Sequence, residues 1–309
     1  MRALMIGLIP FLIFIGITGI LSGVFWHNSR ESNRRSPLTR DLMRGPGHSL
    51  VVRIEEISER IILWTVSATI LPVCLYSSYI SRKYFGEVKP GEHGGIICLC
   101  LSVGIVVFAL IRLVRLQKER RNVRLGLDCE MAVGQELNNL LSHGYRVYHD
   151  IPAEGFNIDH VAVGPNGVFA VETKGRSKRN RGRGAAGARV TFDGKALHFP
   201  GSVETKPLHQ ARRQARWLSK WLTDAVAESI PVHAVLALPG WYILRKEWTD
   251  VLLLNGRDYY ALTTQRTGTP LSKALVQRIG FQLERLCRDV EPKTYKNPRK
   301  WNTKTSEAA

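Results

Sequence analysis

The sequence predicts an α/β domain preceded by three transmembrane helices. Three runs near the amino terminus, residues 3–26, 61–81 and 93–111, contain no Asp, Glu, Lys or Arg. Each run has roughly the 20 residues that a helix needs to cross a bilayer. Beyond residue 115, short apolar runs separated by turn residues alternate with amphipathic stretches, and this pattern is typical of a mixed sheet flanked by helices.

The predicted organisation has three parts. A membrane region covers residues 1–115, the α/β domain covers 116–290, and a basic tail covers 291–309, with the three spans at about 3–26, 61–81 and 93–114. The first span contains a G-x-x-x-G pair, Gly19 and Gly23. Such a pair favours helix association, so self-association through membrane helices is a possible interaction.

The distribution of positive charge predicts the orientation in the membrane. The loop 27–60 carries seven arginines and a cluster of Arg and Lys follows the third span, whereas residues 82–92 carry three basic residues. Because strongly basic loops stay on the cytoplasmic side, we expect that loop and the α/β domain in the cytoplasm. The expected location is the inner (cytoplasmic) membrane of a bacterium.

Periodicity and turn residues predict the elements of the α/β domain. A helical stripe predicts a helix at about 125–143, and Thr205 with Pro207 predicts the start of another that runs to about Glu228. An Asp-Gly turn predicts a hairpin over 189–199. The remaining expectations are strands at 146–151, 232–237 and 251–254 and a terminal helix at 271–288.

Two apolar runs joined by a Gly-Pro-Asn-Gly turn carry three ionisable side chains in the stretch NIDHVAVGPNGVFAVETK. If the two central turn residues form the loop, Gly164 pairs with Gly167. The same register places Asp159 opposite Glu172, with Cβ atoms about 4.5–5.5 Å apart. Lys174 lies two residues beyond Glu172 and points to the same side. A bulge at the second glycine would make the carboxylate pair diagonal instead.

This carboxylate pair needs something that offsets its repulsion. Two carboxylates about 5 Å apart repel by about 3 kcal/mol at an effective dielectric of about 20. A divalent cation, the Lys174 ammonium or a raised pKa on one acid would each reduce that repulsion. The alternative is a solvated sheet face with an ordinary ion pair.

Four short motifs follow one another in the predicted α/β domain. They are GLDCE at 126–130, IDH at 158–160 with the following G-P-x-G turn, ETK at 172–174 and PLHQ at 207–210. In this order they resemble the motifs of the nuclease-related domain family (NERD), a branch of the PD-(D/E)xK nuclease superfamily. The resemblance covers about residues 124–222, and Cys129 stands where the family usually has glycine. It implies a restriction-endonuclease-like mixed sheet and a nuclease activity.

The resemblance also implies a site acid on the first helix. Glu130 falls on the apolar stripe formed by Val133, Gly134, Leu137 and Leu141. An acid on an apolar face is costly unless it is paired or bound to metal. The family places this acid beside the E-x-K strand, whereas a cap or a salt bridge near the helix start is the alternative.

The implied chemistry is metal-dependent cleavage of a phosphodiester bond. Asp159 and Glu172 would hold Mg²⁺ or Mn²⁺, with Glu130 as a third or water-mediated ligand. Lys174 would orient the attacking water or stabilise the developing charge, and Gln210 would support the site from the following helix.

Other polar residues nearby are expected to have structural roles. Strand alternation points His160 to the face opposite Asp159, so we predict a packed histidine. Asp150, Glu136 and Glu154 lack a comparable context and are predicted to be solvated.

Positive charge predicts a nucleic-acid partner, with DNA as the expected substrate. The formal net charge is +18, and residues 115–309 carry 32 Lys and Arg against 19 Asp and Glu. Basic side chains suit sequence-independent phosphate contacts, although a solvated loop or a loop attracted to anionic lipid is the alternative. The candidates after the E-x-K triplet are Arg176, Lys178, Arg179, Arg181, Arg183 and Arg189, and those on the next helix are Arg212, Arg213 and Arg216.

Several function classes lack their sequence signals. The five cysteines form no C-x-x-C pair, which argues against a zinc site. The chain has neither a Gly-rich phosphate loop followed by Lys-Ser or Lys-Thr nor a G-x-S-x-G motif, so no nucleotide cofactor and no serine-hydrolase chemistry is expected. A membrane-tethered nuclease is therefore the leading hypothesis. A non-catalytic nucleic-acid or protein binding module at the membrane is the second, and a lipid-contacting scaffold is the third.

Overall fold

A computed structural model describes residues 16, 19–20, 22–24, 37–86, 91, 93–178, 187–264 and 270–292. These residues fall into two compact units. The described residues of the first lie within Met1–Pro37 and Ile54–Arg121, and those of the second lie within Leu38–Arg53 and Asn122–Pro292. The boundary predicted at residue 115 therefore misses one part of the second unit, the stretch Leu38–Arg53.

Two long helices contain the apolar runs. Helix α1 spans His48–Phe85 and helix α2 spans Gly94–Asn138. By length and composition both could cross a membrane. Of the three predicted spans, these helices account for the second and third. The first, at 3–26, falls mostly on residues outside the described set.

Helix α2 corrects the prediction of a separate helix at 125–143. The charged stretch after the third apolar run consists largely of good helix formers, so the helix continues through it without a break. It ends at Asn138 and is followed by a 3-10 helix, Asn139–His143. Gly144 then adopts a left-handed conformation with φ of 79°, which is typical of a helix end.

Nine described strands and three further helices build the second unit. The helices are α3 (Lys206–Val226), α4 (Ala261–Thr264) and α5 (Lys273–Cys287). The strands are β1 (Arg146–Ala153), β2 (Phe156–Gly164), β3 (Gly167–Thr173), β4 (Arg189–Phe192), β5 (Leu197–Phe199), β6 (Ser202–Glu204), β7 (Val232–Ala237), β8 (Tyr242–Arg245) and β9 (Val251–Leu254).

The strands form two mixed sheets. The first has the order β1-β2-β3-β7-β9, with β1, β2 and β3 antiparallel and β7 and β9 parallel to β3. The second has the order β6-β5-β4-β8, with β8 parallel to β4. The mixed α/β class is as predicted. The sequence patterns missed β6, β8 and α4, because elements of three or four residues carry too little periodicity.

Apolar side chains cover both faces of the first sheet. On one face, Val161 and Ala170 belong to a core cluster that includes Leu218 of α3 and Ile279 of α5. On the other face, a second cluster joins Phe169 to the final turns of α2. Strand β3 is buried along its whole length and is rich in Val and Ala. A charged side chain at its end therefore lies beside an apolar core.

Candidate functional site

The β2–β3 hairpin has the predicted register. Gly164 pairs with Gly167, and the pairing continues without a slip to His160 and Val171. One further step in this register brings Asp159 opposite Glu172. The Asp159 Oδ2 atom accepts a hydrogen bond of 2.6 Å from the backbone N–H of Thr173, which holds the carboxylate against the neighbouring strand.

Glu172 is buried and held by an amide from α3. Gln214, which is completely buried, donates its Nε2–H to Glu172 Oε2 at 2.6 Å and to the backbone oxygen of Asn157 at 3.0 Å. Gln210, predicted to support the site, lies one turn earlier, and its side chain also hydrogen-bonds Glu172 and lowers that pKa. Sequence reasoning missed Gln214. Its signal was a polar residue between Ala211 and Ala215 on the apolar stripe of the helix.

Burial is the main cause of a raised pKa at Glu130, Asp159 and Glu172. It raises the pKa of Glu172 to about 7 despite the opposing effect of Gln214. Burial and the Asp150 and Glu172 charges raise the pKa of Glu130 to about 8. Burial, Glu172 and Glu130 raise the pKa of Asp159. The carboxyl groups thus form one electrostatic cluster that favours bound protons or a bound cation.

Glu130 lies on the buried side of α2, where the sequence pattern placed it. Only 8% of its surface is exposed, and Leu127, Val133 and Leu137 on the same helix are buried as well. The neighbouring Cys129 replaces the family's usual glycine and packs against the chain just after the E-x-K triplet. A Cβ added at Gly175 would lie 3.0 Å from its Sγ atom. The cysteine therefore fills space beside the site without displacing the acid.

Asp150 is not solvated, contrary to the prediction. It is 1% exposed and has a left-handed φ of 50°, and it interrupts the β1–β2 ladder at the position opposite Asp159. Its carboxylate accepts hydrogen bonds from the Ser49 backbone N–H and hydroxyl, from Asn157 Nδ2 and from Arg44 Nη1. These donors offset the cost of a buried charge. Glu136 is half-buried, and Glu154 is exposed as predicted.

The stretch Leu38–Arg53, here called the strap, supplies the Arg44 and Ser49 donors of Asp150 and covers Glu130. Leu42 forms a backbone bridge with Val290 near the end of the described chain. Gly47 has a φ of +68°, and a Cβ added there would lie 2.5 Å from Leu127 Cδ1 and 3.4 Å from Glu130 Oε2. Only glycine fits this approach without strain.

Lys174 follows β3 and stays near the acids. Its backbone N–H donates to the Ala237 oxygen at 2.8 Å, which extends the pairing with β7 by one residue. Its charge lowers the pKa of Glu172, as does that of Arg213 on α3. The Lys174 ammonium is thus close enough to stabilise the negative charge of the Glu172 carboxylate.

His160 is a packed histidine, as predicted. It is completely buried, and its Nδ1 atom lies 2.9 Å from Nδ1 of His149. Its ring also approaches α2, with Cε1 3.3 Å from the position of a Cβ added at Gly134. Burial lowers the pKa of both histidines, so the neutral rings pair with each other.

The basic candidates after β3 contact aromatic rings. Arg176 pairs with Glu204 and lies over the Phe199 ring, at 5.5 Å from its centre. The other two described candidates, Lys178 and Arg189, lie over Trp241 and Tyr242, each at 5.8 Å. Arg179, Arg181 and Arg183 lie outside the described residues.

The three arginines of α3 have different surroundings. Arg212 donates three hydrogen bonds to the Asp250 carboxylate, so part of its guanidinium is already engaged. Arg213 lies over the Phe156 ring, 5.1 Å from its centre. Arg216 donates to the backbone oxygen of Arg212 at 3.3 Å. Of the three, Arg213 is the one whose charge acts on Glu172.

The donor chemistry of the acid cluster suits Mg²⁺ or Mn²⁺. Across the described ranges, no group of three or more His, Cys, Asp or Glu side chains stands ready to hold a metal ion. Mg²⁺ needs fewer protein ligands, because it keeps several waters and commonly binds one or two carboxylates together with substrate phosphates. Asp159 and Glu172 fit that requirement, and a cation would offset the repulsion from Glu172 that helps to raise the pKa of Asp159.

Comparison with known proteins places this site within one family match. No curated protein and no solved structure matches the chain. A family model described as the nuclease-related domain, NERD, matches residues 125–239, which include Glu130, Asp159, Glu172, Lys174 and both glutamines of α3. The match bears out the family predicted from the motifs, and it covers residues 125–239 of this chain.

Proposed function

We propose that this chain is a membrane-tethered nuclease that hydrolyses phosphodiester bonds with the help of a divalent metal ion. DNA is the expected substrate. The observation that supports this proposal best is the Asp159–Glu172 pair on the β2–β3 hairpin, with Lys174 directly beyond it, inside the nuclease-related domain. The five-stranded mixed sheet with helices on both faces is consistent with a restriction-endonuclease-like fold.

Each site residue has a role that follows from its surroundings. Asp159 and Glu172 would hold the metal, and Glu130 would take part directly or through a water. The metal, when bound, would lower the pKa of an attacking water and neutralise charge on the phosphate. Lys174 would orient that water or stabilise the developing negative charge. Gln214 and Gln210 would fix the orientation of the Glu172 carboxylate.

The tether rests on the two apolar helices. In the proposed arrangement α1 and α2 cross the inner membrane of a bacterium and the nuclease-related domain lies in the cytoplasm, where DNA is found. The arginines of the loop 27–60 and the basic residues after residue 111 support this orientation.

The decisive experiment is a plasmid-cleavage assay with the full chain in detergent. We expect Mg²⁺- or Mn²⁺-dependent cleavage that falls by at least about 100-fold in Glu172→Gln, which loses a proposed metal ligand, and in Lys174→Met, which loses a positive charge near the reacting phosphate. Glu154→Gln, which changes an exposed acid on the turn after β1, is the matched control and should retain full activity. Undiminished cleavage by Glu172→Gln would refute the assignment.

A non-catalytic binding module is the second candidate. It is favoured by the finding that the described acids form no ready group of three metal ligands. Such a module would bind nucleic acid without cleaving it, and Mg²⁺ would not raise its melting temperature. A metal-dependent rise that is absent from Asp159→Asn would instead support the nuclease.

A further inference from the structure

The second sheet has one buried and one exposed face. Val190, Phe192 and Leu197 point into the main core. Alternate residues on β4 and β8 lie on the other side, where Arg189 pairs with Tyr242 across the two parallel strands. Tyr242 is 61% exposed, although an aromatic ring of this size usually contributes to a core.

Basic groups lie over aromatic rings along this sheet. The chain leaves β3 after Lys174 and places Lys178 over Trp241, the residue just before β8. Arg189, where β4 begins, lies over Tyr242, where β8 begins. Among the described acids, none forms an ion pair with Lys178 or Arg189. These two cations are therefore available to phosphate groups, and Lys178 lies only four residues beyond Lys174 in the chain.

A second exposed ring lies at the other end of β8. Trp248 is 99% exposed in the loop that follows this strand. The loop is fastened to the sheet, because the Lys246 N–H donates to the Phe192 oxygen at 2.9 Å. Five residues separate the two aromatic residues in the chain, and the first three of these, Ile243, Leu244 and Arg245, belong to β8. An exposed Trp and an exposed Tyr lower the solubility of a protein, but on a rigid sheet and its loop they are well placed to stack against a ligand ring.

We propose that Lys178, Arg189, Tyr242 and Trp248 form a platform for unpaired nucleotides that flank the cleavage site. This inference rests on the proposed nuclease function, because it takes the acid cluster as the cleavage site. It specifies the substrate as nucleic acid with a single-stranded segment. Unpaired bases stack on aromatic rings, whereas the bases of a duplex are stacked on each other. The basic groups hold the phosphates of the same strand, and the net charge of +18 favours this polyanion.

The test compares binding of a fluorescent single-stranded oligonucleotide with binding of a blunt duplex of the same sequence. The full chain in detergent is measured by fluorescence anisotropy in EDTA, so that cleavage plays no part. Wild type should prefer the single strand. Tyr242→Ala and Trp248→Ala should each weaken single-strand binding by roughly 5- to 100-fold while changing duplex binding less than about twofold. Tyr242→Phe should bind like wild type, because the ring is retained.

Two further variants separate stacking from charge and from general surface effects. Tyr260→Ala is the matched control, since this tyrosine is 56% exposed on a different part of the unit, and it should bind both substrates normally. Arg189→Gln should weaken both and reduce the slope of log Kd against log salt by about 0.7 to 0.9. The platform would be overturned if Tyr242→Ala and Trp248→Ala lost binding to the single strand and to the duplex equally, or lost none. Because Trp248 is fully exposed, its variant tests the proposal even if Tyr242→Ala unfolds.

The binding test in EDTA gives its result whether or not the protein cleaves nucleic acid. A wild-type protein that fails to cleave with Mg²⁺ or Mn²⁺ but shows the selective binding losses in EDTA would disprove the nuclease and support the platform. Normal cleavage by a protein whose aromatic variants show no selective loss of single-strand binding would support the nuclease and disprove the platform.

Discussion

Glu172 combines three features at the residue scale. It is buried, it faces another acid across a hairpin, and its oxygen is held by the amide of a fully buried glutamine. A carboxylate in such surroundings is held in one orientation and also has a raised pKa. Both properties matter for a group that is proposed to bind a cation, because binding then replaces a proton at a preformed position.

Removing the amide of Gln214 should destabilise the domain and weaken the site. Gln214→Leu leaves the Glu172 Oε2 and the Asn157 oxygen without this donor, which costs roughly 1–3 kcal/mol in unfolding free energy. The pKa of Glu172 should rise further above about 7, so metal-dependent cleavage should need a higher pH. Chemical denaturation and a pH–rate profile measure the two effects. Gln277→Leu, on the exposed side of α5, should change neither.

The buried acids also predict how metal-free stability depends on pH. The folded-state pKa of Glu130, about 8, lies above the value of about 4.3 expected in the unfolded chain. Between these values the folded state binds more protons, so stability falls as pH rises and levels off above about pH 8. Glu130→Gln should flatten this fall, giving a higher melting temperature than wild type at pH 8 but little change at pH 4. An unchanged pH dependence in thermal melts would contradict the raised pKa.

At the scale of elements, the strap consists of the end of the loop before α1 and the first residues of that helix, and it packs on the nuclease-related domain. Its Arg44 contacts Asp150 at 3.2 Å and Asp289 at 2.7 Å, and its Ser49 caps the same Asp150. Arg44, Ser49 and Asp289 lie outside the residues of the family match. The compact unit is therefore larger than the matched segment, and a fragment that begins near residue 115 would lack the strap.

Arg44→Gln tests the contribution of the strap. It removes the guanidinium charge beside the buried Asp150, which should cost roughly 3–5 kcal/mol in unfolding free energy. The melting temperature of the full chain and its Mg²⁺-dependent cleavage should both fall. Arg40→Gln changes an exposed arginine of the same strap and serves as the control. Equal stability of the two variants would mean that Asp150 does not need the Arg44 charge.

At the scale of the whole molecule, the exposed apolar side chains of α1 and α2 need an environment other than water. Leu63, Val73 and Leu99 are each 63% exposed, and an uncovered surface of this kind marks a membrane or a protein partner. We therefore expect the full chain to stay in the membrane pellet after an alkaline carbonate wash and to be released by detergent. Release by carbonate alone would argue against spanning helices.

Much of the site followed from local sequence, and the rest did not. The hairpin register needed only a turn of fixed length and strand alternation, so the positions of Asp159 and Glu172 could be predicted. Asp150 was misjudged because its partners Arg44 and Ser49 lie 106 and 101 residues away in the chain. Gln214 was overlooked because it lies 42 residues from Glu172 and its helical stripe looked like ordinary core.

The sequence by itself determined the mixed α/β class, the nuclease-related family and the facing pair of acids, because turn chemistry and two-residue periodicity act over a few residues. Only the tertiary structure decided that the strap covers Glu130, that Gln214 holds Glu172 and that Tyr242 is left exposed on the second sheet. Those features depend on which surfaces meet when distant segments pack, and local periodicity carries no information about that choice.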